Sequence, residues 1–250
     1  MEIILQMYWA HDLFERPDNE DIRIWRYLDF TKFVYLIQNE ALFFSRADRV
    51  GDKFEGSFPK ITIESREKKF DQKHSDMKSR YAKKFKNVIL INCWHMNDYE
   101  SEAMWKLYLR SNEGVAIQST YKRLIGSLER DTLNQVYIGK VKYIDYNSES
   151  FQEGNIFQPY LFKRKSFEHE KELRAINLYR DANVNSPDFL IKDFGFNGIN
   201  ITVDLNVLIE HVYVSPYAPQ WFFNLVKSIM KKFEFGIDPS QSSLKDDPLY

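Results

Sequence analysis

The residues most able to do chemistry lie between positions 163 and 174 of the 250-residue chain. Glu168, Glu170 and Glu172 alternate there with other residues and precede Arg174. If a strand begins near Glu168, the three carboxylates project to one face, because side chains of a strand alternate between faces. Carboxylates placed in this way repel one another unless a cation, a metal or a substrate lies among them. A helix, which Glu, Lys and Leu also favour, would instead leave Glu168 and Glu172 on a solvated face.

A second candidate is Arg26, which lies at the end of the first predicted strand between Trp25 and Tyr27. A half-buried arginine in an apolar context requires an anionic partner. That partner is either a carboxylate of the protein, with Glu172 and Glu55 as candidates, or the phosphate of a ligand. The sequence leaves both alternatives open.

The segment 93–98 leaves a predicted strand and enters a helix, a place where polar side chains often contact a ligand. Cys93 and His95 lack a partner at the spacing of a metal motif, and the chain has one cysteine and five histidines. We therefore predict no metal site and no disulfide. A metal-dependent hydrolase that uses His169 with the neighbouring glutamates is the least favoured alternative, because adjacent strand residues face opposite ways.

A basic segment covers residues 66–86, with nine Lys or Arg residues against three acidic ones. Its apolar residues recur at spacings of three and four, which predicts a helix with one packed side and one cationic side. The cationic side would contact phosphates, although such a run is also typical of a solvated helix face. The candidate nucleic-acid contacts are Lys78, Arg80, Lys83 and Lys84.

The elements that must position these residues are short strands and helices without a regular βαβ period. Strands are predicted at 22–27, 41–44, 87–93, 114–118, 136–145, 173–179, 199–203 and 211–214. No glycine-rich phosphate loop follows a strand, which argues against a doubly wound parallel sheet. We predict an α+β fold in which residues 1–250 form one compact domain of mixed, largely antiparallel strands with surrounding helices. A basic helical insertion lies at about 61–86, and the polar residues 240–250 favour a loose tail.

Composition limits the classes of function. The chain has 35 Lys+Arg and 36 Asp+Glu, and the net charge of -1 argues against a protein that coats nucleic acid. The mean hydropathy is -0.50, and no apolar run approaches the ~20 residues of a membrane helix. The first residues do not resemble a secretory signal, and a single cysteine is typical of the reducing cytoplasm. Aromatic residues make up 16% of the chain, which predicts an aromatic core.

Several segments, in order, resemble the bacterial family catalogued as domain of unknown function 2971. The most specific are Asp-x-Phe-Glu-Gly at 52–56, Met-Trp-x-x-Tyr at 104–108 and Glu-x-Glu-x-Arg at 170–174. They are accompanied by the Trp-Arg-Tyr near the start and by the segments 42–45, 114–117 and 214–216. The resemblance covers nearly the whole chain from about Trp25. Members of that family are similar to proteins often seen near phage-defence and toxin-like genes, and the resemblance implies no particular activity.

The order of candidate residues is also similar to that of the ADP-ribosyltransferase superfamily. Those enzymes place a basic residue on a first strand, a Ser/Thr or Tyr motif on a middle strand and a Glu, often in Glu-x-Glu, at the start of a late strand. The corresponding residues are Arg26, Ser119-Thr120 and Glu170-x-Glu172, although the middle motif is not a full Ser-Thr-Ser. Taken alone, Thr120 is also a good helix N-cap. The resemblance implies a split sheet and an NAD-consuming effector that modifies nucleic acid or protein.

The same resemblance implies roles for individual residues. Glu172 would stabilise the oxocarbenium-like state formed when the nicotinamide bond breaks, and Glu170 would orient or deprotonate the acceptor. Arg26 would hold the dinucleotide. A ring of NAD would stack on Tyr27 or Trp94, and Ser119 would form a polar wall of the pocket.

The alternative to an enzyme is a binding module of a defence system. Such a module would bind nucleic acid or a partner protein, such as an antitoxin, through residues 68–86. Strong, salt-dependent binding that survives the loss of both glutamates would distinguish it from the enzyme.

Overall fold

A computed structural model describes residues 11–131 and 133–248, and the side chain of Arg130 is not described. The strands are β1 (Arg23–Asp29), β2 (Ala41–Arg46), β3 (Ile89–Met96), β4 (Gly114–Thr120), β5 (Val136–Lys140), β6 (Lys142–Ile144), β7 (Phe162–Arg164), β8 (Glu172–Leu178), β9 (Gly198–Thr202), β10 (His211–Val214) and β11 (Ser240–Gln241). The helices are α1 (Phe30–Asn39), α2 (Lys60–Lys69), α3 (Gln72–Phe85), α4 (Glu102–Tyr108), α5 (Tyr121–Ser127), α6 (Leu205–Leu208) and α7 (Gln220–Lys232). Together they form one compact α+β domain, as the sequence predicts.

The main sheet is mostly antiparallel and branches at β3. Its strands follow the order β11-β10-β4-β1-β3-β2-β9, and β8 pairs with both β3 and β5. The exception to the antiparallel pairing in this sheet is the pair of β10 and β11, which is parallel. A small second sheet joins β6 and β7 in parallel.

One edge of β3 is shared by two strands that do not pair with each other. β1 pairs with His95 and Met96 of β3, whereas β2 pairs with Leu90 and Ile91. The residues between them, 92–94, have no partner on that edge among the described strands. The opposite edge of β3 pairs continuously with β8. The sheet is therefore split, and we call the opening beside residues 92–94 the gap.

The two faces of the sheet carry different cores because side chains alternate along each strand. Ile24 and Leu28 of β1 belong to the larger core, which also contains buried residues of α1, α5, α6 and α7. Trp25 and Tyr27 point to the other face and pack against Trp105 of α4. The register of β3 and β8 places Cys93, His95, Glu172 and Arg174 on the face that α4 covers, since directly paired residues share a face.

Two predicted elements are each divided in the structure. The strand predicted at 136–145 is β5 followed by β6, because the N–H of Lys142 donates to the carbonyl of Leu161 and takes the chain out of the main sheet. The basic helix predicted across 66–86 is α2 followed by α3. Asp71 caps α3 by accepting a hydrogen bond from the N–H of His74 at 2.9 Å.

The prediction of a loose tail is wrong for residues 240–245. Ser240 and Gln241 form β11 on the edge of β10. The buried Ser242 donates its N–H to the carbonyl of Val214 at 3.1 Å, and the amide of Gln241 donates to the carbonyl of Ser215 at 2.9 Å. Polar side chains in this segment satisfy backbone groups of the neighbouring strand instead of facing solvent alone.

None of the helices within the described ranges has the length and apolar character that crossing a membrane requires. This agrees with the absence of a long apolar run in the sequence.

Candidate functional site

A buried network of charged side chains connects the start of β8 to two distant segments. It consists of Glu55, Lys163, Glu170, Glu172 and Arg174. Arg174 donates from Nε and Nη2 to the two carboxylate oxygens of Glu172, at 2.9 and 3.0 Å. Its Nη1 and Nη2 donate to Glu55 at 2.7 and 2.9 Å. Lys163 contacts Glu170 and lies 3.4 Å from Glu172.

The local backbone explains why Glu170 and Glu172 reach the same cation. Residues 165–170 form a 3-10 helix, and β8 begins only at Glu172. Lys171 between them has φ 40°, in the left-handed region, so the chain turns sharply. The prediction of three glutamates on one strand face is therefore wrong, and Glu168 is exposed. The pair that remains together is Glu170 and Glu172.

The charges within this network and its burial shift the pKa values of its carboxyl groups. Burial opposes the charged form of Glu172, but Arg174 and Lys163 outweigh it and lower the pKa of Glu172 to about 2. Burial raises the pKa of Glu55, which Arg174 only partly offsets. Because three carboxylates face two cations, the fully ionised network carries one formal negative charge. Glu172 is accordingly a carboxylate at neutral pH.

Arg26 occupies the gap in the sheet. Its Nη1 donates to the carbonyl of Cys93 at 2.9 Å, and its guanidinium lies 5.8 Å from the centre of the Trp94 ring. Its Nε is buried and has no hydrogen-bond partner among the described residues. Within the described ranges Arg26 forms no ion pair with Glu172 or Glu55, which excludes these two carboxylates as its partner in the first of the two alternatives left open above. Its pKa is lowered by burial.

Tyr108 connects the gap to the glutamate pair. Burial raises the pKa of its phenol, the charges of Glu170 and Glu172 raise it further, and Arg26 acts in the opposite direction. The residue as a whole is 43% exposed. Tyr108 was not predicted as a site residue, although Tyr108 ends the Met-Trp-x-x-Tyr segment.

Lys163 was missed as well, since it lies on β7 and no local pattern pairs it with residues 170–172. Glu55 was considered only as a partner of Arg26. The signal that could have identified Glu55 as a site residue is its place in the Asp-x-Phe-Glu-Gly segment.

Cys93 and His95 lie on the same face as Glu172. Burial raises the pKa of the Cys93 thiol and lowers the pKa of His95, so both are neutral near pH 7. Nδ1 of His95 lies 2.6 Å from the carbonyl of Glu170 and therefore carries the proton, because a carbonyl only accepts. Its Nε2 is buried without a partner in the described part of the chain. No group of three or more potential metal ligands is found among the described residues.

Three predicted cofactor-binding residues are buried and hydrogen-bonded within the fold. The buried Ser119 faces the larger core and donates to the carbonyl of Leu208 at 2.5 Å. Trp94 is 2% exposed and donates to Asn92 at 2.8 Å. The hydroxyl of the buried Tyr27 accepts a hydrogen bond from the N–H of Ser101. None of the three offers a free surface to a ligand, because central strands bury the residues that they carry on both faces. That they bind a cofactor stays a prediction.

The neighbouring Thr120 caps α5, as the sequence predicts. Its hydroxyl accepts a hydrogen bond from the N–H of Arg123 at 3.2 Å. The polar pair at 119–120 therefore supports the fold on both sides.

The four predicted nucleic-acid contacts on α3 differ in their surroundings. Arg80 and Lys83 are exposed and form no ion pair with a described residue. Lys78 lies 3.6 Å from Glu153 and over the ring of Phe70, whereas Lys84 donates to a backbone carbonyl. Arg80 and Lys83 are thus the two cations most available to a phosphate.

No family model, no curated protein and no solved structure matches the chain. The function is therefore argued from the geometry of the residues.

Proposed function

We propose that the protein is an NAD-consuming, ADP-ribosyltransferase-like effector that acts in the bacterial cytoplasm, in phage defence or as a toxin, on nucleic acid or protein. The observation that carries this proposal is the buried pair of Glu170 and Glu172, which share the cation Lys163, together with the buried Nε of Arg26, which lacks a hydrogen-bond partner among the described residues. A carboxylate pair and an arginine with a free donor suit a substrate that develops positive charge and carries phosphates. NAD has both properties.

The bond to be broken joins the nicotinamide nitrogen to C1′ of the ribose. Nicotinamide leaves with the bonding electrons, positive charge develops on the ribose, and an acceptor nucleophile bonds to C1′ and gives up its proton. A fixed carboxylate stabilises such a charge because it needs no reorganisation during the reaction. Glu172, which Arg174 and Lys163 hold in its ionised form, would supply this field.

The two glutamates are suited to different tasks. Both oxygens of Glu172 already accept hydrogen bonds from Arg174, so we assign Glu172 to the electrostatic stabilisation of the ribose. Glu170 is bonded to Lys163 alone among the described side chains, which leaves acceptor capacity. We therefore assign Glu170 to contact with the ribose or to removal of the proton from the acceptor.

Arg26 is suited to hold the diphosphate. A buried donor that lacks a partner is energetically costly, and an incoming phosphate oxygen would satisfy it. Charge-assisted hydrogen bonds from a guanidinium to a phosphate are also stronger than neutral ones.

The test is the release of nicotinamide from NAD by purified protein, with cell lysate as the source of acceptors. We expect Arg26→Gln to lower the release at least tenfold. The control is Arg23→Gln, which removes an exposed charge from the same strand and should leave the release unchanged. Intact NAD with the wild-type protein, or equal release by the two variants, would contradict the proposal.

A second candidate is the non-enzymatic binding module, which the exposed Arg80 and Lys83 favour. Under this alternative, NAD stays intact and the protein binds nucleic acid or a partner protein such as an antitoxin. Affinity that is unchanged in Glu170→Gln and Arg26→Gln would support it.

A further inference from the structure

A pocket of about 340 Å³ lies between α3 and the loop that precedes β7. Its apolar lining consists of Phe58, Met77, Tyr81, Phe85, Ile156 and Tyr160. Arg66, Lys78 and Glu153 add polar atoms and one net positive charge. Four aromatic rings around a space of this size suit a flat heteroaromatic ring, which gains contact area by stacking.

The same helix carries a row of cations beside the pocket. Lys73, Arg80 and Lys84 are spaced i, i+7 and i+11, so they lie on one side of α3 at 3.6 residues per turn. Met77, which is 48% exposed, lies next to this row and also lines the pocket. From Met77 to the end of α3 the sequence has no acidic residue. An anionic chain along this row would therefore pass the mouth of the pocket.

We infer that α3 binds a single-stranded nucleic acid, with phosphates along the cationic row and one unstacked base in the pocket. Charge complementarity identifies the polymer, because a polyphosphate backbone matches a row of cations in which Lys73 and Arg80 are exposed. The aromatic lining identifies the inserted group, because bases that are free of a duplex stack on aromatic side chains. The inference does not rest on the proposed reaction with NAD.

The pocket is also joined to the candidate site. Gly56 and Tyr160 line the pocket. The carbonyl of Tyr160 accepts a hydrogen bond from Arg174, and Glu55, which precedes Gly56, is the ion-pair partner of the same guanidinium. A base in the pocket would therefore lie against the outer end of the network that holds Glu172.

The first experiment measures binding of fluorescent single strands of about 12 nucleotides, RNA and DNA, by anisotropy without NAD. Gly154→Trp is chosen to place an indole at the pocket, because Gly154 lines it and a Cβ atom there meets no atom within 4 Å. We expect about tenfold weaker binding, since the base loses its stacking surface. The control is Gly51→Trp, at a glycine that also has open space but lies outside the pocket lining.

The second experiment measures the salt dependence of binding. Lys73→Gln combined with Arg80→Gln removes two exposed cations of the row and should reduce the slope of log K against log salt by about 1.4, at roughly 0.7 for each phosphate contact. Lys231→Gln combined with Lys232→Gln removes the same charge from α7 and should leave the slope unchanged.

Three results would overturn the inference. They are no binding of any single strand at about 50 mM salt, equal affinity of Gly154→Trp and the wild-type protein, and duplexes that bind as tightly as single strands. Because NAD is absent from these experiments, their failure is distinguishable from failure of the proposed reaction.

Discussion

At the residue scale, Arg174 is the residue on which the buried network depends. Its guanidinium donates to Glu55, Glu172 and the carbonyl of Tyr160. Both carboxylates are almost fully buried, and their charge is tolerated only because these donors face them. The network is therefore a structural requirement whatever reaction the site performs.

Replacing Arg174 with Met should lower the free energy of unfolding by about 3–5 kcal/mol, because two buried carboxylates then lose their main partner. Urea unfolding measures this difference. The control Arg49→Met removes a side chain that is 59% exposed, and its effect should stay within about 0.5 kcal/mol. Similar losses in the two variants would contradict the role assigned to Arg174.

The pH dependence of stability tests Glu172 directly. Its folded pKa of about 2 lies below the ordinary value of 4.5. A carboxyl with a depressed pKa stabilises the fold above its unfolded pKa, and this contribution is lost as the pH falls from about 4.5 toward 2. The free energy of unfolding of the wild-type protein should therefore fall more steeply over that range than that of Glu172→Gln. Parallel curves in urea titrations at several pH values would show that Glu172 is not held ionised by its partners.

At the element scale, the sequence predicted the helices and strands whose signal lies in a few adjacent residues. The strands β1, β4 and β8 and the Thr120 cap are all visible in a few adjacent residues. The turn at Lys171 was missed because a left-handed residue that is not glycine has no strong sequence signal. The Glu170–Glu172 pair was predicted, but its cation, Lys163, belongs to another sheet and was not.

The loop at 52–56 is the element that brings Glu55 to Arg174. Gly56 ends this loop with φ 66°, and a Cβ atom there would lie 2.4 Å from the ring of Tyr160. Both the backbone conformation and the close approach therefore require glycine. The specific Asp-x-Phe-Glu-Gly segment thus has a structural explanation in addition to any functional one.

Gly56→Ala should consequently lower the free energy of unfolding by about 2 kcal/mol or more, through strain and overpacking. The matched control is Gly51→Ala, where the backbone is not left-handed and the added methyl group meets open space. It should have little effect or stabilise slightly. Thermal or urea unfolding of both variants measures the difference, and equal stability would contradict the requirement at Gly56.

At the scale of the whole molecule, the gap arises from long-range pairing. β1 and β2 are consecutive in the chain, yet both pair with the same edge of β3. Arg26 then fills the space that they leave, with the carbonyl of Cys93 as its acceptor. No local pattern in the sequence specifies this arrangement, and for that reason the partner of Arg26 was left open between a carboxylate and a phosphate.

The C-terminal segment completes the sheet on the side of β10. Removal of residues 240–250 should lower the thermal midpoint by about 3–6 °C, because β11 and the buried Ser242 are lost, at roughly 2–4 °C per kcal/mol. Removal of residues 246–250 alone keeps β11 and should change the midpoint much less. Equal midpoints for the two truncations would contradict the role of β11.

The central claim is that the glutamate pair beside the gap transfers ADP-ribose from NAD. The most direct measurement follows label from adenine-labelled NAD onto macromolecules in lysate, with wild-type protein and with Glu170→Gln, after thermal unfolding has shown that both are folded. We predict that the wild-type protein transfers label, that Glu170→Gln loses at least nine-tenths of the transfer, and that nuclease or protease digestion identifies the acceptor class. Unlabelled macromolecules with intact NAD, or full transfer by Glu170→Gln, would contradict the claim.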